Sequence, residues 1–293
     1  MLYRRYDEEI LKKIKETEKE ILLKFVSICE KYNLNYFVVF GTLLGTIRHK
    51  GFIPWDDDID VGMLRKDYEK FLEVAQQECG EDFFLQTVDT DPNYHLYFAK
   101  LRKMDSIFVE NSLQKADSTS GFYIDIFPYD MVSDNNMQMK RQIKLAVSLG
   151  MLLSISRVKE PQIGSYGKTK ESILRAIWKV IYYGMKILGI SGSFIEKLFI
   201  KVSTKFNEKK CNRYVTFSAQ AEKWIVHREE IEPLLNKKFE DINVQVPKGY
   251  DSILKRCYGD YRVLPPEEKR VNHMPVKIKF PGEDEVIILK GNE

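Results

Sequence analysis

The stretch GTLLGTIRHKGFIPWDDDID, Gly41 to Asp60, decides how this chain is read. Residues 36–40 (YFVVF) run into it with the aromatic and β-branched content of a buried strand, and Gly41 breaks that strand. A short helix is expected from Thr42 to about His49, then a loop over 51–57 that contains Pro54, then an alternating strand through IDVGM. On an extended chain Asp58 and Asp60 point to one side while Ile59 enters the core. Two carboxylates held that close repel each other. A divalent cation removes the repulsion, and hard oxygen ligands suit magnesium or manganese.

A third carboxylate is needed to hold a pair of metals. Asp125 fits, because it is a lone acid in the apolar strand 121–127 (GFYIDIF), where it is costly unless paired or liganded. At the other end, Gly41 follows a strand and opens a helix, so its backbone and the Thr42 amide and hydroxyl can approach a phosphate. Arg48, Lys50, Lys100 and Arg102 are the candidate cations for the remaining phosphate charge. Asp57 and Asp125 are the candidates for accepting a proton, and His273, after PPEEKR, is a candidate for closing over a substrate.

A strand, a glycine turn, a helix, an Asp-x-Asp strand and a later third Asp together resemble the nucleotidyltransferase fold. More narrowly the sequence resembles the LicD family of phosphotransferases, to which fukutin-type proteins are related. The matching stretches are FGTLLGTIRHKGFIPWDDDIDVGM (40–63), GFYIDIFPYD (121–130) and FEDINVQVPKGYDSILKRCYGDYRVLPPEEKR (239–270). Thr42 replaces a smaller residue of the general pattern, and the spacing from Gly41 to Asp58 is longer. The resemblance implies a CDP-activated donor such as CDP-choline. It implies as acceptor a hydroxyl of a cell-surface glycan (teichoic acid or lipopolysaccharide) or of its lipid-linked precursor. The fold class it implies is α/β (α+β), a nucleotidyltransferase-like mixed sheet flanked by helices. No nucleic-acid partner is expected.

Further out, apolar residues from Ile10 to Tyr32 recur at spacings of three and four and predict a long leading helix. A helix is expected over 66–78, strands over 83–88, 94–101, 106–110 and 239–246, and a helix over 250–258. The chain has 293 residues, 44% hydrophobic with 17 Phe and 16 Tyr, which excludes a disordered or low-complexity chain. Its four cysteines lie far apart, so neither a zinc knuckle nor a disulfide framework is indicated, and a cytoplasmic location is expected. No secretory signal is expected from MLYRRYDEEILKK.

Charge divides the chain. Residues 140–213 carry 16 Lys/Arg against four Asp/Glu, a balance of +12 in a chain whose total is +3. Three segments follow: a catalytic core over 1–136, a basic helical insert over 137–213, and a C-terminal part over 214–293 that completes the catalytic domain. Within the insert Arg175, Lys179 and Lys186 form a stripe on an apolar helix with Trp178, Tyr182 and Tyr183. The interruptions exclude a membrane span of about 20 apolar residues. A helix in the membrane interface suits the pattern, aromatics at headgroup depth and cations toward lipid phosphates. The expectation is peripheral contact with the anionic inner face of a membrane; the plainer reading is a helix packed on the body.

Several further motifs fail on spacing. Gly167-Lys-Thr169 lacks the P-loop's earlier glycine, since residue 162 is Gln. Asp56, Asp58 and Asp60 are spaced like an EF-hand loop, but Val61 and Asp67 stand where it needs Gly and Glu. His49, His95, His227 and His273 show no metal-ligand spacing. A glycosyltransferase would build a nucleotide-binding unit ahead of its Asp-x-Asp, and only 57 residues precede Asp58. Three rival functions stay open on the same residues: an enzyme that adds a nucleotide, an Asp-x-Asp glycosyltransferase, and a non-catalytic, metal-stabilised membrane adaptor.

Overall fold

A computed structural model describes residues 5–110, 118–159, 168–218, 220–273 and 275–289. Gly167 and residues 160–166 of the basic insert lie outside the described residues. The leading helix α1 spans Glu8–Lys31. The Asp7 carboxylate accepts the Glu9 and Ile10 amides at its start, and Ile14, Ile21, Leu22, Phe25 and Ile28 are its buried face.

The strand expected over 36–40 is shorter, because β1 is only Phe37–Val38 and helix α2 starts early, at Phe40–Arg48. Phe40 takes a φ of 48°, and its ring lies edge-on to Phe127 and Trp224 at 5.2 and 4.5 Å. Those aromatic contacts offset the cost of the left-handed backbone. There follow β2 (Asp60–Leu64), α3 (Arg65–Glu78), β3 (Phe83–Gln86), β4 (Ala99–Lys103), β5 (Ile107–Val109) and β6 (Tyr123–Val132). The strand expected over 94–101 begins only at Ala99. Before it, Tyr97 leaves the sheet to pack on Phe199 at 4.7 Å.

The basic region is helical: α4 (Asn136–Arg157), α5 (Lys168–Ile187) and α6 (Gly192–Ser203). The chain ends with β7 (Arg213–Val215), β8 (Val226–His227), α7 (Arg228–Ile231), β9 (Leu235–Phe239), β10 (Ile242–Val246), α8 (Tyr250–Tyr258), β11 (Lys277–Lys279) and β12 (Ile287–Ile288). The single strand expected over 239–246 is instead the turn and second arm of a hairpin. Glu240, at φ 54°, reverses the chain so that β9 and β10 pair antiparallel.

The mixed sheet expected from the sequence is present, in the order β1-β2-β6-β4-β3, with β7 joined to β6 and β8 to β7. Among the described residues only β2 and β6 run parallel, and helices flank the sheet. β11 pairs with β5, so the C-terminal segment returns to the N-terminal half and carries His273 to the sheet. Buried side chains form two cores. The larger lies around the sheet, α1 and α8; the smaller holds Ile143, Leu149, Leu153, Ile195 and Phe199 from α4 and α6.

Within the insert the three basic residues do different things. Arg175 pairs with Glu171 at 2.6 Å, Lys186 lies 5.1 Å from the Tyr182 ring, and Lys179 is exposed. The aromatics expected at headgroup depth are mostly turned inward. The Trp178 indole N–H donates to the Val158 carbonyl at 2.6 Å, and Trp178 and Tyr182 pack on the smaller core, which leaves Tyr183 exposed.

Candidate functional site

The chain from Asp56 to Asp60 is extended and alternates. Ile59 is fully buried, and Asp57 is 1% exposed, while Asp56, Asp58 and Asp60 line a cavity. Two contacts fix this segment against α2. The Asp60 amide donates to the Thr42 hydroxyl at 2.8 Å, and the Val39 amide to the Asp60 carbonyl at 3.1 Å. Asp60 stands opposite Asp125 across β2–β6, and Asp125 stands opposite Lys100 across β6–β4. The three strands thus bring two acids and a base into one row.

Three carboxylates of the cavity wall, with Asp125 close behind Asp60, share this buried region, and no group here can keep its charge cheaply. Burial pushes the Asp60 pKa well up, and Asp58 and Asp125 push it further. Asp56 is raised by burial and then by Asp58 and Asp57. Asp58 is raised by burial against the pull of His273, and Asp125 by burial against the pull of Lys100. Lys100 Nζ lies 2.8 Å from Asp125 and 3.7 Å from Glu110. Burial works against the Glu110 charge, but Lys100, His273 and the Tyr123 hydroxyl bring its pKa down to about 2.

His273 closes the far side. Its amide donates to Asp57 at 2.9 Å, and its Nδ1 lies 3.3 Å from Asp58 and 3.5 Å from Asp57. Burial disfavours its charge, yet Asp58, Asp57 and Glu110 hold its pKa well above the ordinary value. Asp57 does not line the cavity; its carboxylate accepts from the Tyr6 hydroxyl and the His273 amide. Asp57, Asp58 and His273 offer ligand atoms within 4.8 Å of one another. Asp56 and Asp60 line the cavity beside Asp58, and Asp125 faces Asp60 across the sheet, so these carboxylates are further candidate oxygen ligands for a hard divalent cation next to that group.

The six residues proposed for phosphate contacts separate. Gly41 and Arg48 line the cavity. The Thr42 hydroxyl accepts the Asp60 amide, and Lys100 is committed to Asp125 and Glu110. Arg102 is buried, donating to Gln86 at 2.5 Å and to the Gly121 carbonyl at 2.6 Å. Lys50 is exposed and is not part of the cavity wall.

The cavity, about 540 Å³, is walled by Trp55, Tyr258 and Tyr261, the segment Val263 to Pro266 and the cations Lys269 and Arg270. That volume suits a small-molecule ligand. The Arg270 guanidinium stacks on Trp55 at 4.2 Å. Sequence reasoning missed several of these residues. Asp56 had a signal, the i, i+2, i+4 alternation with Asp58 and Asp60. Gly41 is tied to it, since a Cβ there would meet the Asp56 carboxylate at 2.8 Å. Glu110, Trp55, Arg270 and the buried Glu18 of α1 carried no local pattern.

Comparison with known proteins bears on the same segments. Residues 33–148 match the family model described as LicD/FKTN/FKRP, nucleotidyltransferase domain. The lipopolysaccharide cholinephosphotransferase LicD of Haemophilus influenzae is 32% identical over 263 residues, covering 86% of this chain and 91% of that protein. An uncharacterised protein of Rickettsia typhi is 29% identical over 136 residues, 40% of this chain and 43% of its own. The human ribitol 5-phosphate transferase FKRP is 31% identical over 70 residues, 24% of this chain and 13% of its own.

Proposed function

The chain belongs to the LicD family, and on that footing we propose that it is a metal-dependent phosphotransferase. It moves a phosphocholine-type group from a CDP-activated donor to a hydroxyl of a cell-surface glycan or its lipid-linked precursor. The observation that carries this reading is that Asp56, Asp58 and Asp60 line one cavity with aromatic and cationic side chains, with Asp125 facing Asp60 across the sheet behind them. Buried acids with raised pKa values are a donor set that gains charge balance from magnesium or manganese. Such an ion supplies neutralisation of the donor's diphosphate and of the CMP that leaves.

The chain's own residues do the rest. Arg48 presents its guanidinium to the cavity, where it can pair with a phosphate oxygen. The wall of Trp55, Tyr258 and Tyr261 gives a flat apolar surface for the organic part of the donor or acceptor. Asp57, closed off by Tyr6 and His273, is badly placed to take the acceptor proton, which leaves Asp125 of the two carboxylates considered for that role. Asp57 instead anchors His273, and with it the segment that forms the cavity's far wall.

The test is to incubate the protein with CDP-choline, magnesium and a soluble or lipid-linked glycan acceptor. CMP release with phosphocholine on the sugar supports attack at the β-phosphorus. CMP on the acceptor with free phosphocholine would show nucleotide addition and overturn the reading. Turnover with CDP-ethanolamine, CDP-glycerol or CDP-ribitol alone would keep the reaction and change the donor.

A further inference from the structure

The basic insert leaves an apolar stripe uncovered on α5. Ile173, Ile177, Val180 and Ile187 are 56, 51, 73 and 84% exposed, and their spacing puts all four on one helix face. Gly184 falls on the same face, and nothing lies within 4 Å of a Cβ built there, so no other described element covers the stripe at that point. A second face of α5 is already used: Trp178, Ile181, Tyr182 and Met185 pack on the smaller core. The stripe continues through the turn at Leu188 and Ile190 to Phe194 of α6, all exposed. A helix with one apolar face in the core and another in water is waiting for a partner.

Charge identifies the partner. Lys179 and Lys186 border the α5 stripe, and Lys197 and Lys201 flank Phe194 and Leu198 on α6; all four lysines are exposed. The acid of α5, Glu171, is paired with Arg175 at 2.6 Å. A second copy of the chain would bring a region of balance +12 against itself. No helix among the described residues is long and apolar enough to cross a membrane. We propose that the α5–α6 face docks on the surface of an anionic lipid bilayer, its apolar stripe in the acyl boundary and its lysines at the lipid phosphates. This docking is independent of the chemistry assigned to the acidic cavity.

Sedimentation of the full chain with vesicles tests it, using mixed phosphatidylglycerol and phosphatidylcholine against phosphatidylcholine alone. Binding is expected on the anionic vesicles, to weaken as salt is raised, and to be much lower on the neutral ones. Ile177→Asp with Val180→Asp should lower it by about tenfold or more, with circular dichroism and melting temperature retained because both positions are exposed. Lys179→Glu with Lys186→Glu, which leaves the apolar stripe intact, should cost about tenfold or more on anionic vesicles only. Absent binding, equal binding to both vesicle types, or variants that bind like the parent would each overturn the proposal. So would a concentration-dependent dimer that Ile177→Asp dissolves, since a second copy would then be the occupant.

Discussion

Asp60 and Asp125 stand directly opposite each other across the parallel β2–β6 pair, and of the two it is Asp125 that receives the Lys100 ammonium, at 2.8 Å. Facing residues of paired strands project to the same side. The pairing of β2 with β6 therefore fixes the spacing of the two acids, and a slip of one residue would turn one of them into the core. The register is held by the Asp125 amide donating to the Ile59 carbonyl at 2.9 Å and by the Asp60 amide donating to the Thr42 hydroxyl.

Asp60→Asn should therefore abolish transfer and leave the fold intact, since it changes charge and not shape. Without metal the variant should melt no lower than the parent, because one member of a repelling group is gone. Magnesium at a hundredfold over its Kd should stabilise the parent by about 2.7 kcal/mol, or about 4–5 °C for a chain of this size. The shift should be largely lost in Asp60→Asn. A variant that keeps both turnover and the magnesium shift removes Asp60 from the site.

Two glycines in α2 separate activity from stability. A methyl at Gly41 meets the end of the Asp56 side chain at 2.8 Å, which can swing away, whereas at Gly45 it meets the Gly51 carbonyl oxygen of the backbone at 2.4 Å. Alanine favours a helix interior by about 1 kcal/mol over glycine, which offsets little of an overpacking cost of about 1–3 kcal/mol. Gly45→Ala is expected to lower the melting temperature. Gly41→Ala should keep it near the parent's and lose activity, because Asp56 leaves its place. Activity and melting temperature measured together on both variants check the distinction; equal behaviour of the pair contradicts it.

How much of the fold and the site was legible in the sequence depends on the range of the interaction. Asp58, Asp60 and the helix that follows Gly41 were readable because alternation and a glycine break are local signals. Asp125 was readable because an acid in an apolar strand is too costly to stand without a partner or a ligand. Arg102 and Lys100 look alike in sequence, two residues apart on β4. Only the register of β4 on β6 puts Lys100 beside Asp125, and only the loop before β6 offers Arg102 the Gly121 carbonyl. Trp55 and Arg270 come together across the whole chain, as does Glu18 with Asp57 and Asp58, so no window of sequence holds either relationship. The short β1 was not legible because aromatic packing of Phe40 on Trp224 outweighs strand propensity.

A pH effect is expected at His95, away from the cavity wall. Its Nδ1 is buried without a hydrogen bond among the described residues, and burial, then Lys100, lower its pKa from 6.5 to about 4. The unfolded chain binds this proton below pH about 6.5, the folded chain only below about 4. Stability is therefore lost as pH falls between those values, by up to about 3 kcal/mol from this one group. Denaturant midpoints measured from pH 7 to 4 on the parent and on His95→Gln should diverge over that window, the parent falling more steeply. Parallel curves would mean that the ring protonates as easily folded as unfolded.

Arg48 is the cation that best separates a ligand role from a structural one. Nη1 donates to the Tyr261 carbonyl at 2.8 Å and Nε to His49 Nε2 at 2.8 Å, while Nη2 is buried, bonded to none of the described residues, and belongs to a side chain on the cavity wall. Two nitrogens hold the guanidinium in place and the third is left for a ligand. Arg48→Met keeps the stem and loses all three nitrogens. The lost tie to Tyr261 should cost about 1 kcal/mol of stability, and a lost bond to a charged phosphate about 1.5–3 kcal/mol of transition-state binding. The kcat/KM for the CDP-linked donor should then fall by about 10–100-fold, well beyond what the stability change explains. Arg48→Lys restores the charge without the planar fork, so it should recover part of kcat/KM. If Arg48→Met loses stability and keeps kcat/KM, the side chain serves only to tie α2 to Tyr261, and the cavity's phosphate contacts must come from Lys269 and Arg270.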